Sequence, residues 1–194
     1  MTKPKLIPFQ VPWSVDPAVP LLELFSTPSG KPLSATFTAY FMLDDHQKPE
    51  PLPDSIEGLS IVSGRPAFEP KRDERDAPFR LVRVNFENGR YGRTLGAYAD
   101  DQEIPEDDYD WSALPCNLSP EEDIRDNIKR RGIYWLETGK APNPRAFEIE
   151  GSPWLAELDE EEAKGLHHYI FLGHEIYVEV LAEGWSWEAG QPVD

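Results

Sequence analysis

Cysteine is nearly absent from this 194-residue chain, Cys116 being the only one. A single thiol excludes an intrachain disulfide framework and any paired-cysteine zinc pattern, and it fits a reducing cytoplasm. Long apolar runs are missing too. No window of about 18 apolar residues occurs, so no membrane-spanning helix is expected, and Met1–Thr2–Lys3–Pro4 leads into no apolar signal region. Positive charge is scarce: 19 Lys and Arg stand against 36 Asp and Glu, a formal net charge of −17. Phosphate backbones are bound by clustered cations that release counterions, so nucleic acid is not an expected partner. Anionic membrane surfaces are disfavoured for the same reason. Also lacking are a phosphate-cradling glycine-rich loop and a nucleophile-elbow motif, and no cofactor is expected.

What is present describes an ordinary globular chain with unusual connections. The length fits one domain, 1–194, able to bury a core without a disulfide or structural metal. Proline occurs 20 times, roughly twice average usage. Residues 1–20 carry Pro4, Pro8, Pro12, Pro17 and Pro20 and read as an extended N-terminal arm. Its alternating Phe9, Val11, Trp13 and Val15 suit packing across the body of the protein.

Strand signals dominate. Leu21–Thr27 and Leu33–Leu43 are β-rich and separated by the turn segment Pro28–Pro32, which predicts an antiparallel hairpin. On the second strand Leu33, Ala35, Phe37, Ala39, Phe41 and Leu43 share one face. Gly58–Ser63 is a further candidate strand, and 65–78 reads as a loop. Phe79–Phe86 and Arg90–Tyr98 flank Asn88–Gly89, the dipeptide of a type I′ turn, which predicts a second hairpin. Leu166–Trp187 is the densest aromatic and β-branched run. Taking Gly173–His174 as its turn places His168 opposite Glu179 and leaves Tyr177 on the same face.

One strong helix signal stands out. Ser119–Pro120–Glu121–Glu122 is a capping box with proline at the first helical position, so a helix is expected over about 120–138. Ile124, Ile128, Trp135 and Leu136 are its expected buried stripe, Lys129, Arg130 and Arg131 its wet face, and Gly139 its terminator. Gly132 costs about 1 kcal/mol against alanine in mid-helix. Ser152–Pro153 can open a second helix. The fold class expected is α+β: a hairpin-rich antiparallel sheet or sandwich of about six to eight strands covered by at least one helix, with a partly closed β-barrel as the alternative.

Candidate chemistry is sparse. A histidine held by a carboxylate can act as a general base near neutral pH, which makes His168, Glu179 and Tyr177 the catalytic candidates of a small enzyme or ligand-binding domain. With His174 and Glu175, the pair His168 and Glu179 can also offer nitrogen and oxygen to a divalent metal. Cys116 precedes the helix cap, but nothing in the sequence ties it to a base.

Charge carries the leading expectation. Asp100–Asp110 holds seven acids without the spacing of an EF-hand, and Glu148–Asp194 holds twelve acids against Lys164 alone. The expected function is therefore a non-enzymatic, cytoplasmic binding protein that docks a basic protein, an immunity-type inhibitor being one concrete form. Asp107, Asp108 and Asp110 supply charge beside Tyr109 and Trp111, and Trp185 and Trp187 offer two indoles on one strand face. An architectural homo-oligomer subunit is the remaining alternative.

Overall fold

The computed structural model describes residues 2–18, 21–26, 33–42, 79–96, 106–117, 123–174 and 176–192. The expected strand at Gly58–Ser63, the Pro28–Pro32 turn, the 65–78 loop and the Ser119 capping box lie outside these residues.

Ten strands, three α-helices and a 3-10 turn at Glu106–Asp108 occur among the described residues. They run β1 (Lys5–Pro8), β2 (Trp13–Val15), β3 (Leu22–Phe25), β4 (Leu33–Phe41), β5 (Phe79–Glu87), β6 (Tyr91–Gly96), α1 (Ile124–Thr138) and β7 (Ala146–Glu150). The short helices α2 (Pro153–Ala156) and α3 (Glu160–Ala163) follow, then β8 (His167–Leu172), β9 (Ile176–Ala182) and β10 (Gly184–Pro192). Two antiparallel sheets form, one ordered β1-β7-β8-β9-β6 and the other β10-β5-β4-β2, with β3 also on β4. The class is α+β, and neither sheet closes into a barrel.

Alternation explains how the sheets meet. Ala35, Phe37 and Ala39 of β4 and Val82, Val84 and Phe86 of β5 face Tyr169 and Phe171 of β8 and Val178, Val180 and Ala182 of β9 across one core. Each fully buried side chain of this size contributes on the order of 1.5–3 kcal/mol. The proline-punctuated arm supplies both sheets: β1 pairs with β7, and β2 pairs with β4. Its Phe9, Val11, Trp13 and Val15 are buried in the same core.

The Asn88–Gly89 dipeptide does not make the expected hairpin. β5 pairs with β4 and β10, whereas β6 crosses to the other sheet and pairs with β9. At that corner Glu87 lies opposite Gly184 and Tyr91 opposite Leu181, so one ribbon spends three residues where its partner spends two. This is a bulge, the device by which a ribbon bends from one sheet into another. Asn88 takes it up in the left-handed region at φ 46°, a conformation asparagine tolerates better than most residues.

Two more expectations change. Between β8 and β9 the Gly173 N–H donates to the Ile176 carbonyl, so His168 pairs with Leu181 and Ile170 with Glu179. The slip is two residues, which keeps every side chain on its expected face. Helix α1 runs unbroken through Gly132 from an Asp123 cap to a left-handed Gly139; of its expected buried stripe Trp135 packs on Tyr40, but Ile124, Ile128 and Leu136 are exposed. Ile124 is 64% exposed and Ile128 62%, while the residue it buries is Asn127. Polar tethers orient the helix: the Asn127 amide donates to the Cys116 carbonyl and Arg130 to the Asn117 carbonyl.

Candidate functional site

The outer face of the first sheet carries the most concentrated polar chemistry among the described residues. Its strands bury a small apolar cluster of Leu6, Phe147, Ile149 and Ile170 at one end. Residues 109–114 cover that end. The Leu6 N–H donates to the Asp110 carbonyl, and the Trp111 ring meets Phe147 edge-on at 5.6 Å. The 152–165 segment covers the other end and meets the sheet at His168.

Side chains from α2, β9 and β6 gather around that imidazole. Ser152 caps α2, its hydroxyl accepting from the Leu155 N–H at 3.1 Å, and the same oxygen lies 2.7 Å from His168 Nδ1. A hydroxyl that accepts from Leu155 still has its own proton available for Nδ1, and in that arrangement a ring proton sits on Nε2. Nε2 faces Glu179 Oε1 at 3.5 Å, too long for a good hydrogen bond but close enough for attraction. Glu179 also accepts from Arg93 Nε. The Arg93 guanidinium in turn lies 4.1 Å above the Trp154 ring, which packs edge-on against His168 at 5.3 Å. His168 and Glu179 are 2% and 3% exposed.

Electrostatics follow from this closure. Burial pushes the Glu179 carboxyl upward, but the attraction of His168 and the hydrogen bond from Arg93 outweigh it, and the net shift is downward. Burial first, then the charge of Glu179, pushes the neighbouring Tyr109 phenol up to about 12. Tyr177 is raised for the same two reasons.

The structure thus brings His168, Glu179 and Tyr177 onto one face and adds Ser152, Arg93, Trp154 and Tyr109. His174 sits exposed at the far tip of the β8–β9 turn, away from His168, and Glu175 lies outside the described residues. Among the described residues no three His, Cys, Asp or Glu side chains converge as metal ligands.

A hydroxyl, an imidazole and a carboxylate in series can relay a proton. Here the hydroxyl is buried and committed to a helix cap, and the carboxylate is committed to an arginine, so the series acts as a strut between α2 and the sheet.

The remaining candidates divide. Asp107 and Asp108 are exposed. Asp110 is engaged locally, its carboxylate accepting from the Ser112 N–H at 2.9 Å, which holds it below the usual carboxylate range. Tyr109 and Trp111 are packed against the sheet. Trp185 stacks on Phe9 with centroids 4.0 Å apart, and Trp187 meets Trp13 edge-on at 6.0 Å. Both indoles are therefore turned into the core between the sheets.

Sequence reasoning did not link Ser152 or Arg93 to His168. The Ser-Pro pair signalled a helix start, but Arg93 was placed in a hairpin with β5. Only pairing β6 with β9 sets Arg93 opposite Glu179.

The fold and this face define an antiparallel two-sheet α+β protein with a buried polar strut. Comparison with protein-family models, with curated proteins and with solved structures gives no match. No helix among the described residues is long and apolar enough to cross a membrane.

Proposed function

We propose that this chain is a non-enzymatic binding protein whose acidic surface docks a basic protein, in the manner of an inhibitor that captures its target by electrostatic attraction. The observation that carries this reading is where the acids sit. Exposed Asp107 and Asp108 belong to the element covering one end of the first sheet's outer face, and exposed Glu157, Glu160 and Glu161 to the element covering the other. Two of the cations near that face are already used, Arg93 being bound to Glu179 and Arg90 lying 3.7 Å from Glu183, and the exposed acids outnumber the lysines that remain there, Lys3, Lys5 and Lys164. The field it presents is therefore negative, which speeds encounter with a basic surface and suppresses acidic competitors. A reducing cytoplasm is the proposed setting, on the strength of the lone, buried Cys116.

Stopped-flow or biosensor association with basic proteins and arginine-rich peptides tests this. Neutralising Asp107, Asp108, Glu157, Glu160 and Glu161 to their amides is expected to slow association by about tenfold or more at low ionic strength. Neutralising Glu23, Asp126, Glu137, Glu150 and Glu188 instead keeps the same net charge and is expected to have a much smaller effect. Equal losses in the two variants, or no capture of basic partners at low salt, would overturn the proposal.

A further inference from the structure

The edge of a sheet presents unpaired N–H and C=O groups, and proteins that stay monomeric close or guard such edges. β1 is closed by Asp110, whose N–H donates to the Pro4 carbonyl and whose carbonyl accepts from the Leu6 N–H. β2 is closed at Val15, whose N–H donates to the Pro144 carbonyl. β10, at nine residues, is the longest edge strand among the described residues, and within them it pairs with β5 alone. No lysine or proline interrupts residues 184–189, and Ser186, Glu188 and Ala189 are exposed. The bulge between Ala189 and Pro192 guards only the far end of the strand.

Trp185 and Trp187 lie on the inner side of this edge and stay only partly buried, although Trp185 stacks on Phe9 and Trp187 meets Trp13. The core therefore reaches the sheet edge without being fully covered there. Residues 184–188 read Gly-Trp-Ser-Trp-Glu, nearly symmetric about Ser186. Two such segments paired antiparallel about a two-fold axis at Ser186 set Trp185 of each against Trp187 of the other, on the side that faces the core. Aromatic cross-strand pairs of this kind are stabilising. Glu188, the charged residue of the segment, then lies opposite Gly184, which has no side chain to repel it. An axis at Trp187 would set Trp185 against Ala189 and lose one aromatic pair, and an axis at Glu188 would set two carboxylates against each other.

We infer that β10 joins β10 of a second copy of this chain, antiparallel about Ser186, so that the two β10-β5-β4-β2 sheets run on as one. The contact is isologous: each edge closes the other, and neither is left to recruit a third copy. A pairing this short buries less than the about 1,200 Å² of a stable interface, so the dimer dissociates on dilution. Each copy carries a formal charge of −17, so screening by salt strengthens the pair. Capture of a basic protein by the acidic face weakens with salt, and the two contacts are told apart by that sign.

Sedimentation equilibrium of the full chain at low and high salt tests this edge. A monomer–dimer equilibrium that tightens with salt is expected, and amide hydrogen exchange along residues 184–188 slows as protein concentration rises. Ser186→Lys sets two ammonium groups at the axis and weakens association by about tenfold or more. Its monomer keeps the native circular dichroism spectrum, because Ser186 is exposed. Ser186→Cys cross-links into a dimer on mild oxidation, since residues paired across an antiparallel axis lie within disulfide reach. Glu23→Cys, on the same outer face but on β3, does not cross-link, and the native Cys116 is buried. A monomer at every concentration and salt overturns the inference. So does a dimer that tolerates Ser186→Lys, or one in which the β10 amides exchange as fast as in the monomer.

Discussion

Glu179 is central to the polar chemistry of this face, because it joins β9 to both β6 and β8 through side chains. Replacing it with alanine leaves Arg93 without this carboxylate and His168 Nε2 without the oxygen 3.5 Å away. Breaking a fully buried pair costs about 3–5 kcal/mol. Arg93 is 45% exposed, so water recovers part of that, and about 2 kcal/mol is the expected loss in urea unfolding. The pH dependence has a definite sign. Glu179 is held below its ordinary value of 4.5 in the folded state, so its stabilisation is fully present above about pH 4.5 and is lost as pH falls through the lower folded value. Stability measured from neutral to acid should therefore fall more steeply for the native chain than for Glu179→Gln, the two curves converging at the acid end. Parallel curves would show that Glu179 gains nothing from its partners. His168→Phe tests the other half of the strut. It strands the Ser152 hydroxyl proton and one Glu179 oxygen, and the expected cost is again about 2 kcal/mol.

Bends decide the architecture at the level of elements. Asn88 stands at the corner where the β5–β6 strand passes between sheets, in a left-handed conformation, with its amide donating to Glu183 across the bend at 2.9 Å. A β-branched side chain there carries both strain and the loss of that bond, so Asn88→Val should cost about 1–3 kcal/mol in thermal unfolding while Asn88→Gly costs less. If both substitutions destabilise equally, the left-handed backbone is not what the corner requires. The same corner marks the limit of what the residues announced. Strand identity was legible for β3, β4, β5, β8 and β9, because their side chains alternate and one face of each is needed for the core. Strand pairing at Asn88–Gly89 was not, since the dipeptide that favours a tight hairpin also supplies a bulge, and only the competing pairings of β4 and β9 select between them. The face shared by His168, Glu179 and Tyr177 survived an error of two residues in register because side chains repeat every two. The inverse failure occurred in α1: the apolar spacing reads as a buried stripe, but the helix meets β4 through Trp135 against Tyr40 while Ile124 and Ile128 stay exposed, and polar bonds from Asn127 and Arg130 hold it in place.

Burial of phenols gives the whole molecule an alkaline limit that can be read optically. Tyr169 stands in the core between the sheets and Tyr109 beneath the segment on the outer face, and burial pushes both up to about 12. Tyr91 is raised chiefly by donating to Glu162, and Tyr177 by burial. A folded value above the ordinary 10.0 means that each phenol's contribution is intact below about pH 10 and is lost as pH rises toward the folded value. Tyrosinate absorbance from these four phenols should therefore appear late, together with loss of tertiary structure in circular dichroism. The two layers can then be separated. Tyr109→Phe should remove part of the late stage while leaving the core phenol, Tyr169, to ionise with global unfolding. Because Tyr109 is pressed by the charge of Glu179 as well as by burial, Glu179→Gln should bring its ionisation to lower pH without moving that of Tyr169, which faces Glu148 and Glu87 instead. If Tyr109 instead ionises near pH 10 while tertiary structure persists, the outer segment does not cover the sheet as described, and the strut joining β6, β8 and β9 would stand open to solvent.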